Sequence, residues 1–499
     1  MQFRGSLLIN IVDRKCCTDM VQIEIERQER LAYLKNKAHD LRKTETHLCL
    51  QLSELRKSLS QVCSEEAEIT NLSAPISRIP NEILAEIFGY MKGSYSANNI
   101  PNVMVVSHVT RHWRNVALGS PSLWDTIRMS TANDSLDLPI TFLTRSEPCT
   151  LNVTLDIPED APMSGLRLIP ILIPHFGHIR HLAIECGDNE HVVQRLIESF
   201  LNFQAPSLEC LEISLDLGNS QDSFLWNDRT RIFTGGTPIL SSVVLKGISL
   251  QCCSPPLDTI THLSLDSDGD GTMLMSYDHF CDALSACRSL TRLELRGWLF
   301  AFSSSDAARQ INLPSLVSFA IGYPIFYRQD HCVRSTFETI SAPALQTLSL
   351  NYMHRLTLQV VVHFIQSRAL YPMLQHLRLE EPAVECMTVH SIRAMASVTH
   401  VTLMYVGGIP RKMAALAPLL DRKYQPVFQA DILWPRLHTL TICVFDDVFI
   451  RDLITTRIAI GVPLVTLRIE SGTYDTLQPC QIEWCRSRVK VESVAFEDL

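Results

Sequence analysis

One short pattern governs the second half of this chain: L-x-x-L-x-[LI], returning from Leu182 onward at intervals of 20 to 39 residues that cluster near 29. Full copies are Leu208-Leu211-Ile213, Leu290-Leu293-Leu295, Leu345-Leu348-Leu350, Leu374-Leu377-Leu379, Leu437-Leu440-Ile442 and Leu464-Leu467-Ile469. Looser copies begin at Ile179, Leu240, Ile260, Leu316 and Val398. Within each copy the last two apolar positions are two apart, the period of a strand with one buried face. Amphipathic stretches such as HVVQRLIESFL and LQVVVHFIQSR lie between the copies, so each unit reads as one strand plus one helix. A unit of that size cannot bury its apolar edge alone, so neighbours must stack into an α/β solenoid. A generic α/β domain with leucine-rich strands would not need the regular spacing.

These repeats resemble a leucine-rich-repeat horseshoe of the longer, helix-containing type, although the Asn or Cys usual after the strand is mostly missing. The resemblance assigns 179–499 to a degenerate repeat domain, with 128–178 a connector leading into it. Residues alternating with the buried leucines would line the concave sheet. They are His262, Ser264 and Asp266, then Arg292, Glu294 and Arg296, then His376, Arg378 and Glu380, then Arg468 and Glu470. A polar face of mixed sign suits a protein partner, and Arg292, Glu294, Arg296, His376, Arg378 and Glu380 are its candidate substrate-binding residues.

A second motif lies upstream, in APISRIPNEILAEIFGYM and, after a polar insert, VMVVSHVTRHWRNVALGSPSLWDTI. Pro80 suits a helix start, where its missing N–H costs nothing, and Glu82 and Glu86 suit the positive end of the helix dipole. Ile83, Leu84, Ile87 and Phe88 form one apolar stripe, while Gly89 and Gly93 weaken the helix beyond them. The later half predicts another helix with Val105, Val109, Trp113, Val116 and Ala117 on one face, stopped at Gly119-Ser120-Pro121.

Together these residues resemble an F-box. Ile79-Pro80-Asn81-Glu82-Ile83-Leu84 opens the motif, Ser107, Trp113-Arg114 and Ala117 form its middle, and Leu123-Trp124 closes it. Ile79 stands for the usual Leu, and GSYSANNIPN between the halves is longer and more polar than the compact motif. The resemblance implies a three-helix domain over 74–127 that docks on a Skp-family adaptor through Pro80, Glu82, Ile83, Leu84, Ile87, Phe88, Trp113 and Trp124.

Ahead of it, apolar residues step by three and four through Leu31, Leu34, Ala38, Leu41, Leu48, Leu52, Leu55, Leu59, Val62 and Ile69, with Glu45 and Glu66 interrupting the seam. This predicts a coiled-coil-like helix over 21–72, either self-associating or a single solvated helix folding back on the next domain. Residues 1–20 fit neither pattern, and Met20 precedes the heptads, leaving the native start open.

The net charge of −9 gives no electrostatic case for nucleic acid, and no Lys/Arg cluster appears. The sixteen cysteines are scattered, with no C-x-x-C spacing, so they read as small buried apolar residues in a reducing compartment, cytoplasmic or nuclear. The Ser6–Val12 run is too short for a signal core, no apolar stretch suits a membrane span, and the Asn152-Val153-Thr154 sequon is expected to stay unmodified. Asp266-Ser267-Asp268-Gly269-Asp270-Gly271-Thr272 opens like a calcium loop, but Tyr277 stands where the bidentate Glu belongs, so a solvated turn is expected. No phosphate loop, metalloprotease helix or nucleophile elbow appears, and nothing nominates a thioester cysteine. The expectation is a non-enzyme without metal or cofactor. The order of helix, F-box and repeats resembles a substrate receptor of a Skp-cullin-F-box ubiquitin ligase; the alternative is a leucine-rich scaffold not coupled to a ligase.

Overall fold

The computed structural model describes residues 5–95, 100–130, 136–158, 168–187, 190–216, 230–267, 275–297, 299–301, 309–322, 330–351, 355–368, 371–380, 389–404 and 434–496. The calcium-like run lies mostly outside them. The chain divides into two compact units, one of residues up to Tyr90 with Met104–Gly119, the other of Met91–Val103 with Ser120 onward.

The first unit opens with α1, Gly5–Ser73, a single helix of 69 residues. At 1.5 Å per residue it is about 100 Å long. The heptads therefore lie within a helix that starts well before residue 21. The seam leucines Leu31, Leu34, Leu41, Leu48, Leu52, Leu55 and Leu59 are all exposed. After a short 3₁₀ turn come α2 (Asn81–Gly89), α3 (Asn102–Ser107) and α4 (Arg111–Leu118). The apolar spacing by itself predicts one helix where α3 and α4 stand. Thr110 makes the break: its side chain accepts the Trp113 N–H at 3.0 Å, starting a new helix in place of continuing the old one.

In the second unit, fourteen strands form one sheet whose hydrogen-bonded pairs are all parallel. The first six are β1 (Thr126–Ser130), β2 (Leu151–Ile157), β3 (Ile179–Cys186), β4 (Cys210–Leu215), β5 (Ser242–Lys246) and β6 (His262–Asp266). Eight more follow at Arg292–Arg296, Ser318–Gly322, Thr347–Asn351, His376–Glu380, His400–Met404, Thr439–Ile442, Thr466–Glu470 and Lys490–Val494. Every one of the eleven repeat copies is a strand of this solenoid-like sheet. The connector assignment is corrected, because 128–178 already contains β2, most of β1 and the helix Asp137–Arg145. The sequence hid this because LNVTLDI carries the strand alternation without the preceding leucine.

Strand-to-strand register aligns the second leucine of each copy into one continuous row: Leu182, Leu211, Val243, Leu263, Leu293, Phe319, Leu348, Leu377, Val401, Leu440 and Leu467. All are buried, as are the leading residues Leu208, Leu290, Leu345, Leu374, Leu437 and Leu464, which sit in the turn before each strand. Phe176, Phe200 and Phe233 extend the stacking beyond the sheet, with successive centroids 5.4 and 5.7 Å apart.

Gly247, directly after β5, takes a φ of +69°, and a Cβ there would collide with the Leu215 carbonyl of the strand before. Gly461 takes a similar φ of +81° with open space around it. Gly461→Ala is expected to cost only the backbone strain, about 1 kcal/mol. Gly247→Ala should cost more, about 2–4 kcal/mol, since backbone must also move. Urea unfolding of the two variants checks the order.

Candidate functional site

Pro80 is the N-cap of α2, in extended backbone, and its carbonyl accepts the Leu84 N–H at 3.0 Å. The stripe predicted on this helix is split by its geometry. Leu84 and Phe88 are 0 and 2 % exposed, whereas Ile83 and Ile87 are 47 and 43 % exposed, one turn apart on the outer face with Pro80 and Glu82. Phe88 meets the half-buried Trp113 ring at 5.1 Å, so these two join α2 to α4. The set of eight adaptor-facing residues is therefore corrected: Leu84 and Phe88 are interior. Trp124 is fully buried in the second unit, edge-on to Phe142 at 4.9 Å with the Arg145 guanidinium over its ring at 4.4 Å. Val105 and Val109 are exposed, not on the buried face of Val116 and Ala117. The unit also holds a cleft of about 730 Å³ between the end of α1 and α4, where Arg111 pairs with Glu68 at 3.2 Å and donates to Ser64 at 3.0 Å.

The open face of the sheet is laced with ion pairs. Glu294 is its best-built centre: Arg292 approaches at 2.6 Å, Arg296 at 3.9 Å and His262 at 3.7 Å, and only an eighth of the carboxylate side chain is exposed. The neighbouring His262 imidazole, followed by the two arginines, holds Glu294 down to about 2 against the opposing effect of burial. Further along, Arg378 lies 3.6 Å from Glu380. His376 is held neutral, its pKa lowered to about 4 by burial and by the nearby His400, Arg378 and Arg468, and its Nε2 bonds Thr402 at 2.8 Å. Of the six candidate residues, Arg292 and Arg296 project most, while Glu294, His376, Arg378 and Glu380 lie lower in the face. Glu470 turns away from this role: its carboxylate accepts the Gly472 and Thr473 N–H groups and caps the helix Ser471–Asp475.

Two groupings escaped the sequence reading. Arg128 bridges Asp156 at 3.3 Å and Glu185 at 2.8 Å, across β1, β2 and β3. His181, Cys210 and Glu212 converge on β3 and β4. Both lie at positions alternating with buried residues, a signal that becomes readable only when the register between non-adjacent segments is known. No helix among the described residues is long and apolar enough to cross a membrane.

Fold and site thus define a class: a parallel-sheet α/β chain with a charged, ion-paired open face and a helical unit that exposes an isoleucine pair. Neither a scan against protein-family models nor a search of curated proteins finds a match.

Because folding lowers the Glu294 pKa from 4.5 to about 2, the unfolded chain takes up this proton first as pH falls. Its stabilisation is whole above pH 4.5 and is lost between there and about 2. Glu294→Gln should flatten the stability profile in that window, read by thermal unfolding against pH. An unchanged slope would refute the assignment.

Proposed function

We propose that this chain is a non-catalytic substrate-recognition subunit of a cullin-RING ubiquitin ligase. Residues 74–127 dock on a Skp-family adaptor, and a leucine-rich-repeat face binds the protein to be ubiquitinated. The observation that carries the reading is the exposed pair Ile83 and Ile87, beside Pro80 and Glu82, within the segment that resembles an F-box. Two large aliphatic side chains one turn apart on the outer face of a helix lose water-exposed apolar area when a groove covers them.

The chain performs no bond chemistry in this role. It holds a target lysine near a charged conjugating enzyme, so its contribution is effective concentration and orientation. A face on which Arg292 and Arg296 project over a fixed carboxylate suits a protein target with acidic side chains.

Ile83→Asp with Ile87→Asp is expected to abolish co-purification of the adaptor and cullin while leaving the fold intact, since both sites are exposed. Retained binding would overturn the docking surface and favour the scaffold reading. Leu84→Ala is a poor test of docking, because removing a fully buried leucine costs about 2–5 kcal/mol of stability whatever binds outside it.

Self-association through α1 belongs to the same proposal. In-register parallel pairing would oppose Arg30 with Lys35 and Lys37 with Arg42, like charges at the flanks of the seam. The antiparallel register that brings Cys49 near its own counterpart sets Lys37 against Glu65 of the second copy, while opposing Arg42 with Arg56. A short thiol-reactive crosslinker should therefore join two chains through Cys49, and Cys49→Ser should prevent it. A monomer in sedimentation would sink the pairing.

A further inference from the structure

Among the described residues of the open face, one cluster adds a thiol to a histidine–carboxylate pair. His181 on β3 and Cys210 on β4 are register partners, and Glu212 follows Cys210 on the same side of β4. The ligand atoms of all three lie within 4.8 Å of one another. The carboxylate Oε1 sits 3.5 Å from His181 Nε2 and 3.6 Å from Cys210 Sγ.

Those separations are the ones a tetrahedral ion imposes. With bonds of about 2.1 Å to nitrogen and oxygen and about 2.3 Å to sulfur, tetrahedral angles set N···O near ~3.4 Å and S···O near ~3.6 Å. His181 Nε2 adds a second, independent observation: it is hidden from solvent and has no hydrogen-bond partner, although the carboxylate is close. A buried ring nitrogen without a partner is costly, and a metal ion would satisfy it. Cys210 is a free thiol, half-buried, so the site is reachable from the open face.

We propose that His181, Cys210 and Glu212 form a binding site for a divalent zinc ion on the open face of the sheet. One nitrogen, one sulfur and one oxygen ligand select zinc over the hard ions magnesium and calcium, which prefer all-oxygen sets. The three supply three corners of the tetrahedron, and the fourth points to solvent and takes water. On binding, the Cys210 thiol gives up its proton to solvent and the thiolate ligates the ion. Because the ligands come from two adjacent strands, an occupied site would also clamp β3 to β4. The inference stands independently of any ligase role.

The test uses the full chain, stripped by chelator. Zinc titrated against a chromophoric competitor should bind one ion per chain, and cobalt in its place should give tetrahedral ligand-field bands with a thiolate charge-transfer band. Cys210→Ser, His181→Asn and Glu212→Gln should each weaken binding by more than about tenfold, at least the effect of losing an outer-shell contact. Circular dichroism would confirm that each variant is folded, and Cys480→Ser, at an exposed thiol elsewhere, should bind as the parent does. Undiminished binding in a folded Cys210→Ser, His181→Asn double variant would overturn the site, as would a cobalt spectrum without the thiolate band.

Discussion

Everything in the second unit depends on the continuous row of leucines and their equivalents that parallel register stacks from Leu182 to Leu467. A single five-residue strand cannot be stable in water, and a parallel pair needs a crossover to return the chain. Stacking solves both at once: each strand pairs with its sequence neighbours, and each crossover covers the apolar edge that the strand presents. The leading leucine of each copy is buried in the turn before its strand, which fixes where the next rung begins. The glycine after β5 serves the same geometry, since its left-handed φ keeps the backbone clear of the Leu215 carbonyl.

With one face committed to the core, the opposite side chains of every strand fall into register as rows of their own. Neighbours about 4.8 Å apart along such a row interact strongly, which is why charge on this face is organised and not scattered. Glu294 under two arginines, Arg128 between two carboxylates, and Arg468 with Lys490 around Glu492 all arise from this spacing. Exposed pairs of this kind contribute little stability individually. Their larger effect is to fix side-chain orientation across a broad surface. The same spacing brings His181 to Cys210 and Glu212.

The helical unit follows a different rule. α2 is only nine residues long, so its apolar stripe must serve two purposes at once. Leu84 and Phe88 turn inward, and Phe88 reaches Trp113. Ile83 and Ile87 stay outside. A stripe read from helical spacing marks which residues are apolar together, yet it is wider than the part that any one neighbour covers.

The sequence alone determined the repeating strands, the long N-terminal helix and the start of α2 at Pro80, whereas the helix expected in every unit is missing between β5 and β6, where residues 247–261 run as turns. Those features are local: a period of two, a period of three and four, and a residue that fixes its own φ. Copies lacking the leading leucine, such as LNVTLDI, were invisible because strand alternation without spacing looks like any half-buried segment. Tertiary structure alone decided which half of the α2 stripe is exposed, that Trp124 is core, and that His181 faces Cys210. Each of these depends on register between segments tens of residues apart, which no local pattern specifies. Periodicity tells a side chain which face it shares; only the packed neighbour tells it what lies opposite.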